Sequence, residues 1–383
     1  RKMLQRRKKE FQYHANKYNV HMYDFRLILY VWVLSIIGIL VINSAADGFA
    51  VKQLMGFIGG SVVMIFFSLI DYNYIAKFEW FLYSINIGML IAVKLLGINV
   101  NGATRWFSLG PFGTFQPSEL SKILVVLFFA KFLMNHEDDL NSAATILKAV
   151  GLIAPTLILI VLQPDLSTTL SIALVFCAMM YLAGLSYRFI GTLIAILVPV
   201  TIIFISIVVQ PNQPFLHDYQ QKRILAWLEP QKYASDEAYQ QNNAIMAIGS
   251  GQLTGKGLNN NTTTSVKNGN FISEPQTDFI FAIVGEELGF VGCCIVIGLL
   301  LLIVVQCILI GLRAQDLAGR IICCGVAAQI GFQSFINIGV ATGILPNTGI
   351  PLPFVSYGLT SLISLYMGIG IVLNIGLQPK KYQ

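Results

Sequence analysis

Apolar residues along this chain come in runs of about twenty, broken by short polar punctuation. A run of that length crosses the roughly 30 Å hydrocarbon core of a bilayer as a helix, because lipid offers open backbone groups no partner. The runs place spans at about 26–45, 52–70, 75–96, 118–134, 146–162, 166–185, 189–209, 288–311, 321–344 and 355–377. The short alternating segments of a membrane β-barrel are absent. The pattern predicts an all-α polytopic membrane protein of about ten transmembrane helices, with one long loop, about 210–277, between helices seven and eight. Residues 1–25 read as a basic N-terminal segment, and 26–383 as a single membrane domain.

Composition agrees with the pattern. Of 383 residues, 55% are hydrophobic and 11% charged, against about 25% charged in a soluble protein. Much of the net charge of +6 sits in RKMLQRRKKE. Beside apolar spans, such a stretch faces anionic membrane lipid rather than nucleic acid. It has neither the apolar core nor the cleavage site of a signal peptide. One set of short loops and ends holds that segment with Lys77, Lys131, Lys148, Arg188, Arg313, Arg320, Lys380 and Lys381. The other set holds little beyond Lys52 and Arg105. This asymmetry predicts cytoplasmic termini and an external 210–277 loop. The six cysteines lie in apolar spans without metal-ligand spacing, so no structural disulfide is expected. The four histidines are scattered and read as surface residues.

Polar groups at the predicted external ends need a reason. FQPSEL (115–120) and LQPDLS (162–167) each read Gln-Pro followed by an acid, and SEPQTD (273–278) is a looser variant. Proline suits a first helical turn, and a carboxylate there meets the positive end of the helix dipole. Helix capping alone therefore explains Glu119 and Asp165. A second reading stays open beside it: the three acids, with Arg105 nearby, line one cavity in the outer layer of the bundle. Glu119 and Lys122 share a helix face and can pair. A helix from Asp278 to about Leu312 would be about 52 Å long, so its first turns cannot all lie in lipid. Gly285 and Gly289 allow a bend, with the span proper starting near Leu288. Glu286 and Glu287 read as structural pairs or caps. YQQKRILAWLEP (219–230) reads as an amphipathic interfacial helix, and LPNTGIPLPFVSYG (345–358) as irregular backbone walling the same cavity.

The segments NGATRWFSLGPFGTFQPSELSK, LQPDLSTTL, AIGSGQLTGKGL, EPQTDFIFAIVGEELGFVG and LPNTGIPLPFVSYG, in this order, resemble the shape, elongation, division and sporulation (SEDS) family. The resemblance covers nearly the whole chain. It implies a peptidoglycan glycosyltransferase acting on lipid II and undecaprenyl-linked glycan, with a class B penicillin-binding protein as partner. The family's catalytic acid falls on Asp278. Its substrate-binding positions fall on Arg105 and Trp106, on Gln116, Ser118, Glu119 and Lys122, on Asp165, and on Ser356 in the last motif. Arg105, Lys122, Arg223 or a divalent metal (Mg or Mn) are candidates to neutralise a leaving diphosphate. The chain departs from the family pattern at Ser167 and at Gly358–Ser361, and the elongation branch is favoured over division and sporulation. A flippase for the lipid-linked precursor and a non-catalytic scaffold are the rival readings.

Overall fold

The computed structural model describes residues 22–46, 48–100, 103–108, 110, 113–210, 218–232, 237–259, 271–272 and 274–378. The basic stretch 1–21 and most of the NNNTTTS tract lie outside the described residues. Helices α1 (Phe25–Ala45), α2 (Phe49–Leu69), a short α3 (Tyr72–Ala76) and α4 (Glu79–Leu96) come first. Then follow α5 (Pro117–Asn135), α6 (Ala143–Val161), α7 (Leu166–Leu182) and α8 (Tyr187–Val208). The 210–277 segment contributes α9 (Asp218–Leu228) and α10 (Glu237–Ser250), and α11 (Ile280–Leu312), α12 (Leu317–Ala341) and α13 (Leu359–Gly376) complete the chain. A long helix lies on each of the ten apolar runs. Eight are long and apolar enough to cross a membrane. Of the other two, α7 is shorter, and α5 carries Glu119, Lys122 and Lys131. The chain is a multi-pass membrane protein.

Burial sets the layers. α5, α12 and α13 are the most enclosed helices, while the most apolar part of α8 is not buried. α12 packs on α11, α7 and α5, and α13 on α2. Glycine permits the closest approaches: a Cβ on Gly370 would stand 2.5 Å from the carbonyl oxygen of Met64 in α2.

The expected bend falls at Gly289, which takes φ 67° and ψ −164° inside α11. A break there frees the helical bonds that Phe290 N–H and Val291 N–H would make to the carbonyls of Glu286 and Glu287. The glycine-rich turn after α10 takes over all four groups. Phe290 N–H donates to Gln252 O (2.9 Å) and Val291 N–H to Leu253 O (3.1 Å). Lys256 N–H donates to Glu286 O and Gly257 N–H to Glu287 O, both at 3.0 Å. The backbones come so close that a Cβ on Gly255, already at φ +79°, would meet Glu287 O at 2.1 Å. The side chains serve the same joint: Lys256 Nζ pairs with Glu286 Oε1 at 2.8 Å, and Ser44 Oγ donates to Glu287. The structural reading of these two acids holds.

One local departure matters for the site. The loop before α5 is an antiparallel ribbon rather than irregular chain: β1 (Ile98–Val100), β2 (Ala103–Ser108) and β3 (Thr114–Phe115). Ile98 opposes Trp106 while Asn99 opposes Thr104, so Arg105 is the extra residue of a β-bulge. Bulges re-aim a side chain and sharpen the local twist.

Candidate active site

The three Gln-Pro or Pro-Gln helix starts converge, so capping and cavity-lining prove compatible. Gln116 is the N-cap of α5, with Pro117 in its first turn. Asp165 is the N-cap of α7: its Oδ1 accepts from Thr168 N–H (3.1 Å) and its Oδ2 from the Thr168 hydroxyl (3.0 Å). Gln116 Nε2 joins the two starts, donating to Asp165 Oδ2 (3.2 Å) and Ser118 Oγ (3.0 Å). The bulged Arg105 brings its guanidinium 3.6 Å from Asp165 Oδ2 and lies 5.1 Å from the Trp106 ring centre.

These groups line a cavity of about 380 Å³ together with Glu119, Arg223 and Asp278. Arg223 arrives from α9, whose Trp227 indole N–H donates to Gly343 O (3.3 Å) just past α12. Asp278 closes the turn before α11. Burial pushes its carboxyl up to about 6; Arg223 pulls it back, Glu274 raises it further, and the Thr277 hydroxyl and Arg105 lower it. Gly349 faces the carboxylate: a Cβ there would stand 3.2 Å from Asp278 Oδ2.

Seven of the ten expected site residues therefore share one cavity: Arg105, Trp106, Gln116, Glu119, Asp165, Arg223 and Asp278. Ser118, Lys122 and Ser356 are not among its lining residues. Ser118 is buried behind Gln116. Lys122 Nζ points into the bundle, bonded to Glu119 Oε1 (2.8 Å) and Gln333 Oε1 (3.2 Å). Ser356 Oγ is consumed by the backbone, donating to Thr277 O (2.6 Å) and accepting from Leu352 N–H (2.7 Å). The lining also includes Thr168, Glu274, Tyr357 and Thr360, which sequence reasoning did not select. Behind the wall stand Gln333 and Asn337 of α12. With Gln329 they repeat every four residues, a polar stripe visible in an otherwise apolar run.

No group of three or more acidic, histidine or cysteine side chains has suitable geometry among the described residues. Glu119 and Asp165 already serve Lys122 and the Gln116–Thr168–Arg105 set. Positive charge at the cavity comes from arginine.

The family model for FtsW/RodA/SpoVE cell cycle proteins matches residues 19–381. The peptidoglycan glycosyltransferase MrdB of Escherichia coli (strain K12) is 36% identical over 93% of this chain and 94% of its own length. A probable peptidoglycan glycosyltransferase FtsW of Geobacter sulfurreducens (strain DL-1 / KN400) is 31% identical over 95% of this chain and 98% of its own. Among solved structures, the rod shape determining protein RodA of Thermus thermophilus superimposes with a TM-score of 0.67 at 27% identity, covering 94% of this chain and 98% of that one. A chain from a peptidoglycan synthase complex, studied for its structural coordination of polymerization and crosslinking, reaches 0.75 at 28% identity, covering 92% and 97%. Matched along nearly its whole length, the chain belongs to the FtsW/RodA/SpoVE family of cell cycle proteins.

Proposed function

We propose that this chain is a peptidoglycan glycosyltransferase that polymerises lipid II at the outer face of the bacterial cytoplasmic membrane, with Asp278 as general base. The observation that carries the assignment of roles is the cavity itself, which gathers Asp278, Arg105 and Arg223 where helix starts meet one membrane face. The names and full-length coverage of the relatives support the activity.

The Asp278 carboxylate takes the proton from the sugar 4-hydroxyl of the incoming lipid II. That oxygen attacks the anomeric carbon of the growing chain's reducing-end sugar. The bond to undecaprenyl diphosphate breaks, and the leaving diphosphate carries away the electron pair. Arg105 and Arg223 neutralise the developing charge at low dielectric, where fixed cations act most strongly. A carboxyl near 6 is a better base than an ordinary one and is still ionised at neutral pH. Asp165, itself bonded to Gln116, holds Arg105, and Glu119 with Lys122 braces the cavity wall. Likeness to a chain of a peptidoglycan synthase complex supports a penicillin-binding protein partner of class B. The Lys and Arg asymmetry supports cytoplasmic termini, and the similarity to MrdB and RodA supports the elongation branch.

Polymer formation from lipid II by the purified chain tests this. Asp278→Asn keeps shape and hydrogen bonding but lacks the base, and loses about a hundred- to ten-thousand-fold in rate. Asp278→Glu displaces the carboxylate and is also poor. A flippase or scaffold would tolerate the neutral amide. A wild-type rate for Asp278→Asn would refute the assignment.

A further inference from the structure

We infer that Asn337 is a positioning residue for the reaction: one buried amide clamps the main chain of Asp278 and the 345–358 loop to α12. The inference rests on Asp278 being the base. Asn337 lies in the last turns of α12, essentially inaccessible at 1% exposure. Its Nδ2 donates to two carbonyls of separate segments, Asp278 O at 2.9 Å and Ile350 O at 2.7 Å. Both hydrogens of that nitrogen are used. Its Oδ1 has no partner among the described residues. The two donors make this amide a bridge between α12 and both segments.

The clamp fixes a distance that chemistry uses. Ile350 follows Gly349, whose missing side chain leaves room for Asp278 Oδ2. Holding Asp278 O and Ile350 O on one nitrogen sets how closely the carboxylate approaches that loop. Ser356 and Tyr357 also tie residues 276–277 to the loop, through Thr277 O and Gln276 O. Those bonds join two irregular segments to each other, whereas Asn337 refers the reacting residue to an enclosed helix. A misplacement of about 1 Å lowers a rate about a hundredfold.

The test compares Asn337→Leu, which keeps the branched shape without donors, and Asn337→Ser, which keeps one, in the full-length protein with lipid II. The expected result for Asn337→Leu is a fall in kcat of about ten- to a hundredfold, with KM within about twofold, because ground-state binding is untouched. Asn337→Ser recovers part of kcat. In the Asp278→Asn background, Asn337→Leu adds no further loss, since the two act as one unit. A folded Asn337→Leu chain at full kcat overturns the clamp and leaves the base intact, provided Asp278→Asn is inactive. An active Asp278→Asn overturns the base and the clamp together. Failure of both Asn337 variants to fold assigns the residue to stability alone and also overturns the inference.

Discussion

Replacing Lys122 by methionine removes an ammonium and keeps most of its stem. In the native chain that ammonium lies 2.8 Å from Glu119 Oε1, with the two side chains 2% and 6% exposed. At this separation the attraction is about 6 kcal/mol for an effective dielectric near 20, most of it offset by the desolvation of both ions. Lys122→Met leaves the desolvation of Glu119 in place and removes the attraction, and it also strips a donor from Gln333 Oε1. The expected loss of stability is about 3–5 kcal/mol. Glu119→Gln strands the ammonium instead and is also destabilising. The double variant carries neither charge, so it recovers about 2 kcal/mol of the summed loss. Unfolding of all four proteins by SDS in mixed micelles, followed by tryptophan fluorescence, gives the cycle. Losses that add within about 0.5 kcal/mol would show that the pair does not interact, and would remove the buried ion pair as a brace of the cavity wall.

Three further outcomes concern Asp278 and the joint at the α11 bend. The rate at saturating lipid II rises with pH through about 6, because Asp278 must be ionised to act; at pH 5 it is about a tenth of its plateau. Burial disfavours the charged carboxylate, so Asp278 lends the fold stability in strong acid that is lost as pH rises through about 6. A flat rate between pH 5 and 7 contradicts the assignment. Gly255→Ala drives a Cβ into Glu287 O and lowers stability by about 2–4 kcal/mol. Gly257→Ala, at φ +89° but with open space around it, costs only about 1–2 kcal/mol. Equal melting temperatures for the two variants would show that the joint at the α11 bend is not close-packed.

The helices were legible in the sequence because a bilayer leaves the backbone a single solution over each apolar run. The bend in α11 was legible for a related reason: a helix too long for the membrane, with glycines at 285 and 289, has few places to break. Which glycine bends was not, since that depends on the turn at 251–257 docking against it. The ribbon at 98–115 escaped because its strands are short and interrupted by glycine and proline, and the bulge at Arg105 depends on register across strands. The partners of Lys122 and Ser356 were not legible for one reason: side-chain type says that a polar group needs a partner, and which neighbouring group supplies it depends on packing across the bundle. Asn337 was visible as part of a polar stripe. Its meaning came only from what packs opposite, across 59 residues of sequence to Asp278.

The turn that stitches the bent α11 also bears on the order of biogenesis. Residues 251–257 leave the ribosome before α11 does. When Gly289 interrupts the helix, the donors of Lys256 and Gly257 and the acceptors of Gln252 and Leu253 already exist upstream. The nascent helix can therefore exchange its severed bonds for new ones as it emerges, without waiting for α12 or α13. Reversing that order, by a circular permutation opened between residues 257 and 280, would make the kinked helix first and its partner turn last. Four backbone groups would then wait at the membrane boundary for a segment not yet synthesised, exposed to whatever chain or chaperone reached them first.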